Sequence, residues 1–80
     1  MNNQERLYNV FVSLFAVPAA EVTDDLSQDN VQMWDSFGMV NLVAELENEF
    51  DIRFDLLEIS DFRTVGLVKT ILIEKGIKFD

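Results

Sequence analysis

The stretch Asp35-Ser36-Phe37-Gly38-Met39-Val40-Asn41-Leu42-Val43-Ala44-Glu45-Leu46-Glu47-Asn48-Glu49-Phe50-Asp51 decides the fold. At about 100° per residue, Met39, Leu42, Val43, Leu46 and Phe50 fall on one side, so a helix from Ser36 to about Asp51 buries that stripe. The opposite side carries Phe37, Val40 and Ala44, flanked by Glu47 and Asp51. A helix needs only one buried face, so this small acid-edged apolar strip is free to meet a partner.

Working outward, Leu7, Val10, Phe11, Leu14 and Phe15 follow the same helical spacing, and Pro18 shortly afterwards cannot continue a helix. A first helix is expected from about Asn3 to Phe15. Residues 16–35 keep no period but contain Val22, Leu26, Val31 and Trp34. A connection that long is unusual in so small a chain, and its apolar residues are expected to pin it to the core. After the second helix, Asp55 followed by Glu58 reads as a capping pair for a short third helix that ends near Asp61, with Leu56, Leu57, Ile59 and Phe62 mostly apolar. Leu56 and Leu57 cannot both face inward on a single turn, and one of them is expected to add to a partner surface. Thr64 is the expected N-cap of a last helix whose Val65, Val68, Ile71 and Leu72 face the core, with Gly76 as its stop. The fold class is therefore all-α, with three main helices, one short helix III and a long loop between helices I and II, in a single domain over residues 1–80.

Eighty residues with about half of them apolar suit one small helical domain with little material for an internal active site. There is no Cys and no His, so neither a thiol nucleophile nor the commonest general base is present. No catalytic triad, glycine-rich phosphate loop or metal-ligand set can be assembled, which argues against an enzyme. A calcium site in the Asp24–Asp29 loop lacks the alternating acids, central Gly and closing Glu of an EF-hand. The start of the chain lacks the pattern of a signal peptide, and no apolar run approaches the roughly 20 residues needed to span a bilayer, so a cytoplasmic monomer is expected.

The formal net charge is −9. No Lys or Arg lies between Arg6 and Arg53, while Glu21, Asp24, Asp25, Asp29, Asp35, Glu45, Glu47, Glu49 and Asp51 all do. Such a surface is unsuited to nucleic acid or anionic membrane and suited to basic proteins. The same charge also serves a merely solvated surface.

At the head of the second helix stand a hydroxyl and a carboxylate, Asp35-Ser36, where unpaired backbone N–H groups and the helix dipole favour an anion. Either residue can equally be a simple N-cap. The wider segment narrows the choice. Asp35-Ser36-Phe37 resembles the Asp-Ser-Leu signature of acyl carrier proteins. The text around it is similar as well, in Asp24-Asp25-Leu26, in Leu42 to Phe50, and in Phe62-Arg63-Thr64-Val65. The resemblance extends over nearly the whole chain and implies an acyl-carrier-type four-helix bundle without catalytic activity of its own. It implies that a phosphopantetheinyl transferase, using coenzyme A and magnesium, attaches 4′-phosphopantetheine to Ser36, with Asp35 helping to organise the transfer. The arm's thiol would hold acyl groups as thioesters for an acyl synthase or ligase and other enzymes with basic patches. The implied docking face maps onto Phe37, Val40, Ala44 and Glu47, the strip already found by periodicity. Met39, Leu46, Ile59 and Phe62 are candidates to line an acyl pocket between helices, or simply core.

The chain departs from the family pattern at several positions. Phe37 replaces the usual Leu, Gly38 stands where a polar residue is common, and Asn41 and Asn48 occupy outward positions that are often acidic. Trp34 and Gly38 look closer to carriers of a dedicated lipid or polyketide-type pathway than to the main fatty-acid carrier, although Trp34 also suits a gap in the core. The competing class is a non-covalent acidic adaptor that binds basic partners, with Ser36 serving only as a cap.

Overall fold

Each helix begins where a side chain takes over a backbone bond that the helix itself cannot make. Asn2 accepts the Glu5 amide at 2.8 Å and opens α1, Asn3–Phe15. Asp35 accepts the Gly38 amide at 2.9 Å and opens α2, Ser36–Phe50. Asp55 and Glu58 form a reciprocal capping box at α3, Leu56–Ser60, with bonds of 2.8 and 2.9 Å. Thr64 accepts the Leu67 amide at 3.0 Å and opens α4, Val65–Glu74. The structure is a computed structural model whose described residues are 1–79; among them no strand forms, and Ser27 and Thr64 make an isolated bridge.

The helix ends are equally local. Gly76 takes φ +96° after Lys75, so that the Ile77 amide reaches the Leu72 carbonyl at 3.0 Å and the Gly76 amide reaches Ile73 at 2.9 Å, a Schellman closure of α4. Ala16 and Asp51 close α1 and α2 in the left-handed region without being glycine.

The core joins Leu7, Val10, Phe11 and Phe15 of α1 to Leu42, Leu46 and Phe50 of α2 and to Val65, Val68, Ile71 and Leu72 of α4, with Phe62 filling the turn before α4. Leu14, Met39 and Val43, placed on the inward stripes by spacing, are half-buried at the margin. Spacing gives a direction, and the width of the neighbouring element decides how deeply a side chain is covered.

The long connection is anchored as its apolar residues suggested. It contains a single 3-10 turn, Ala19–Glu21, and buries Val22, Val31 and Trp34. Trp34 stacks on Phe15 with centroids 5.8 Å apart and tilts against Phe11 at 5.2 Å. Backbone bonds tie the loop to the start of α4, from Gly66 N to the Asp24 carbonyl and from Val65 N to the Leu26 carbonyl, both 2.9 Å. The Asp24 carboxylate accepts from Lys69 Nζ at 2.8 Å and from the Tyr8 hydroxyl at 2.8 Å. The Lys69 bond holds Asp24 below the usual carboxylate range; burial, aided by Asp24, pushes the Tyr8 hydroxyl above its ordinary value.

The third helix goes further than the expectation that Leu56 and Leu57 cannot both face inward. Leu56 and Leu57 are both outside, 84% and 80% exposed, because α3 is a single turn whose inward side is Ile59 with the following Phe62.

Candidate functional site

Because Asp35 is the N-cap of α2, the neighbouring Ser36 is its first helical residue and its hydroxyl is not needed for capping. The side chain is exposed, and no hydrogen bond engages its Oγ among the described residues. The amides of Ser36 and Phe37 lie at the same open helix end, where intrahelical acceptors are absent and partial positive charge accumulates. A phosphate ester on Ser36 therefore meets donors already present and displaces nothing from the core. A 4′-phosphopantetheine arm fits this position.

The rest of the site is built by the incoming loop. Trp34, 2% exposed, anchors the chain one residue before Asp35. Gly38 is buried against the Met33 carbonyl, closer than any residue with a β-carbon could approach. Beside Ser36 a shallow cleft of ≈ 220 Å³ runs between α1 and α2, lined by Leu14, Phe15, Met33, Phe37, Gly38 and Asn41 with the Asp35 carboxylate.

The structure brings together part of the expected docking strip. Phe37 and Val40 stand out at 83% and 68% exposure, and Ala44 is exposed one turn further on. Glu47 is turned inward, its carboxylate accepting the Phe54 amide at 2.9 Å and approaching Arg53 at 3.9 Å. Its charge is therefore shared with the segment after α2. Leu56 and Leu57 add exposed apolar surface on α3.

Of the acyl-pocket candidates, Leu46 and Phe62 are completely covered, Phe62 edge-on to Phe54 at 4.9 Å, whereas Met39 and Ile59 are half-buried. None of the four lines any of five surface clefts, whose walls are other residues.

Charge is unevenly compensated. Arg6 pairs with Glu49, Arg53 with Glu47, Arg63 with Asp61, Lys69 with Asp24 and Lys75 with Glu58. Glu21, Asp25, Asp29, Asp35, Glu45 and Asp51 have no ion pair among the described residues. Residues 20–51 thus present uncompensated negative charge on either side of the Ser36 hydroxyl.

Residues 5–72 match the family described as "Phosphopantetheine attachment site". The chain belongs to that family. A curated relative, an acyl carrier protein of Saccharopolyspora erythraea, is 27% identical over 70 residues, covering 88% of this chain and 74% of the relative. The prosthetic group of this phosphopantetheine carrier is covalently attached 4′-phosphopantetheine, the group that the exposed hydroxyl and open helix end accommodate. No helix among the described residues is long and apolar enough to cross a membrane.

Two features of this site were not legible in the sequence. The inward turn of Glu47 depends on where the Phe54 amide arrives, and the need for Gly38 depends on where the Met33 carbonyl arrives. The signal for Gly38 was nevertheless present: a glycine in the first turn of a strongly patterned helix is costly unless space demands it.

Proposed function

We propose that this protein is a non-catalytic acyl carrier whose arm is attached through Ser36 Oγ and whose partners dock on Phe37, Val40 and Ala44, with Leu56 and Leu57 extending the surface. The single observation that carries the reading is the division of labour at the head of α2: Asp35 caps the helix and leaves an exposed Ser36 hydroxyl idle. During loading, Ser36 Oγ forms a phosphoester bond as the pyrophosphate bond of coenzyme A breaks. Adenosine 3′,5′-bisphosphate leaves, and the hydroxyl proton passes to a base on the transferase. Asp35 keeps the hydroxyl at the helix edge, and the Ser36 and Phe37 amides face the incoming phosphate. When attached, the arm supplies the terminal thiol that this chain lacks, on which acyl groups are held as thioesters.

The uncompensated acids favour a transferase and acyl-loading enzymes with basic patches around their entrances. Gly38, Trp34, Asn41 and Asn48 favour a dedicated lipid or polyketide-type pathway over the main fatty-acid carrier. Met39 and Ile59, half-buried, and Leu46 and Phe62, covered, are the residues an acyl chain would meet if it entered by parting α2 from α3.

Incubation with coenzyme A, magnesium and a broad-specificity phosphopantetheinyl transferase is expected to raise the intact mass by one phosphopantetheinyl group. Ser36→Ala should abolish the gain while keeping the helical spectrum. A wild-type chain left unmodified under conditions that load a control carrier overturns the reading and points to the non-covalent adaptor.

A further inference from the structure

We propose that Gly38 is a positioning residue for arm transfer: its missing side chain lets the Met33 carbonyl press into the first turn of α2, and this contact fixes the Ser36 hydroxyl. The inference rests on Ser36 being the attachment point and adds a residue that acts through it.

Gly38 is the third residue of α2, a place where glycine is the poorest helix former apart from proline. Backbone freedom does not explain its presence, because its φ is not positive; among the glycines only Gly76 has a positive φ. Space does explain it. A β-carbon on Gly38 would lie 2.0 Å from the Met33 carbonyl oxygen, 3.0 Å from the Met33 carbonyl carbon and 3.0 Å from Phe15 Cε1. The nearest of these is backbone, so no rotamer change relieves the overlap. Either the loop withdraws or the helix start moves.

What would withdraw is the segment that presents the hydroxyl. Met33, Trp34 and Asp35 are consecutive, and Ser36 follows directly. Trp34 is wedged against Phe15 and Phe11, and its amide bonds the Val31 carbonyl at 3.0 Å. Asp35 caps the amide of Gly38 itself at 2.9 Å. The turn is thus a closed circuit in which Gly38 supplies both the amide that Asp35 holds and the gap that Met33 fills. Ser36 is the exposed residue inside that circuit, so any movement of Met33 is passed to its oxygen. Transfer requires this oxygen to be aligned with the phosphorus of coenzyme A, and a misplacement of about 1 Å can lower a rate by on the order of 10²-fold.

The test compares wild type, Gly38→Ala and Ile71→Val, the last a mild core change in α4 on another element. Each is loaded from coenzyme A by a broad-specificity transferase under steady-state conditions, and the emission of Trp34, the sole tryptophan, is recorded. Gly38→Ala is expected to lower kcat by about tenfold or more, to change the carrier's KM much less, and to shift Trp34 emission to longer wavelength. Ile71→Val should leave kcat and emission at wild-type values. If Gly38→Ala melts below the assay temperature, both chains are compared in an Asp51→Gly background, which relieves the left-handed cap at the far end of α2. A Gly38→Ala protein that loads at the wild-type rate with unchanged emission, or that melts higher as an ordinary Gly→Ala exchange in a helix would, overturns the inference while the Ser36 reading stands. A wild-type chain that fails to load removes the Ser36 reading, and with it this one.

Discussion

The two segments that flank α2 are held by apolar packing and polar bonds in different proportions. The incoming loop is fastened by buried apolar groups: Val22, Val31 and above all Trp34, with Gly38 admitting the backbone at the last step. The outgoing segment relies largely on polar caps, with Glu47 on the Phe54 amide and the Asp55–Glu58 box, and buries Phe62 alone completely. Packing resists displacement in all directions, whereas a cap fixes one backbone direction. The contrast places the stiffer fastening next to the hydroxyl and the more yielding one where α3 meets α2. On the proposed function, the first arrangement would serve the attachment of the arm at Ser36, and the second would serve an acyl chain entering between helices.

The largest effect should come from removing the stiffest fastening. Trp34→Ala is expected to cost about 3–5 kcal/mol in urea unfolding followed by circular dichroism, and to slow arm loading of the molecules that remain folded. Phe62→Ala should cost a similar amount but leave loading of the folded fraction unchanged, since Phe62 belongs to the segment after α2, where it packs against Phe54. Equal loading defects in the two variants would erase the distinction between the segments. Next in size, Asp35→Ala removes the α2 cap and should cost about 1 kcal/mol, with loading reduced more than this loss of stability explains.

At the other end of α2 the sign should reverse. Asp51 holds φ +54° without being glycine and places a carboxylate at the negative end of the helix dipole. Asp51→Gly is therefore expected to stabilise by about 1 kcal/mol, readable as a higher melting temperature with loading unchanged. The smallest effect concerns pH. Lys69 lowers the Asp24 pKa in the folded state, so the ion pair contributes stability above the ordinary carboxylate pKa and loses it as pH falls through the folded value. Because Asp24 is half exposed, the contribution is small and screened by salt. Lys69→Met should flatten the acid limb of a melting-temperature profile as pH falls below the ordinary carboxylate range, and little else.

Which parts were readable in the sequence follows from the range of the interactions involved. The four helices, the Asp55–Glu58 box, the Thr64 cap and the Gly76 stop depend on residues within a few positions of each other, and all were expected where they occur. The ambiguity between Asp35 and Ser36 as cap was decided only by coordinates, since both side chains are chemically suited to the task. Glu47 was assigned to the outer strip by angle and by the family resemblance, neither of which has knowledge of a Phe54 amide seven residues later. That Leu56 and Leu57 cannot both face inward was readable from spacing; that neither does was not, because it depends on how little of α3 the core reaches. Gly38 was noticed as a departure, but its reason lies in a carbonyl five residues earlier whose path no periodicity describes.

The clasp at the other pole of α2 has a practical consequence. Arg6 lies over the Phe50 ring at 4.7 Å and bonds Glu49 through both its Nε and its terminal nitrogen, while Asn3 reaches the Lys78 carbonyl at 2.8 Å. Residues 3 and 78 therefore converge near the finish of a helix about 22 Å long, with the Ser36 hydroxyl at its beginning. Tethering the protein to a bead, a dye or a neighbouring polypeptide through either extremity should leave the loading end pointing away from the tether.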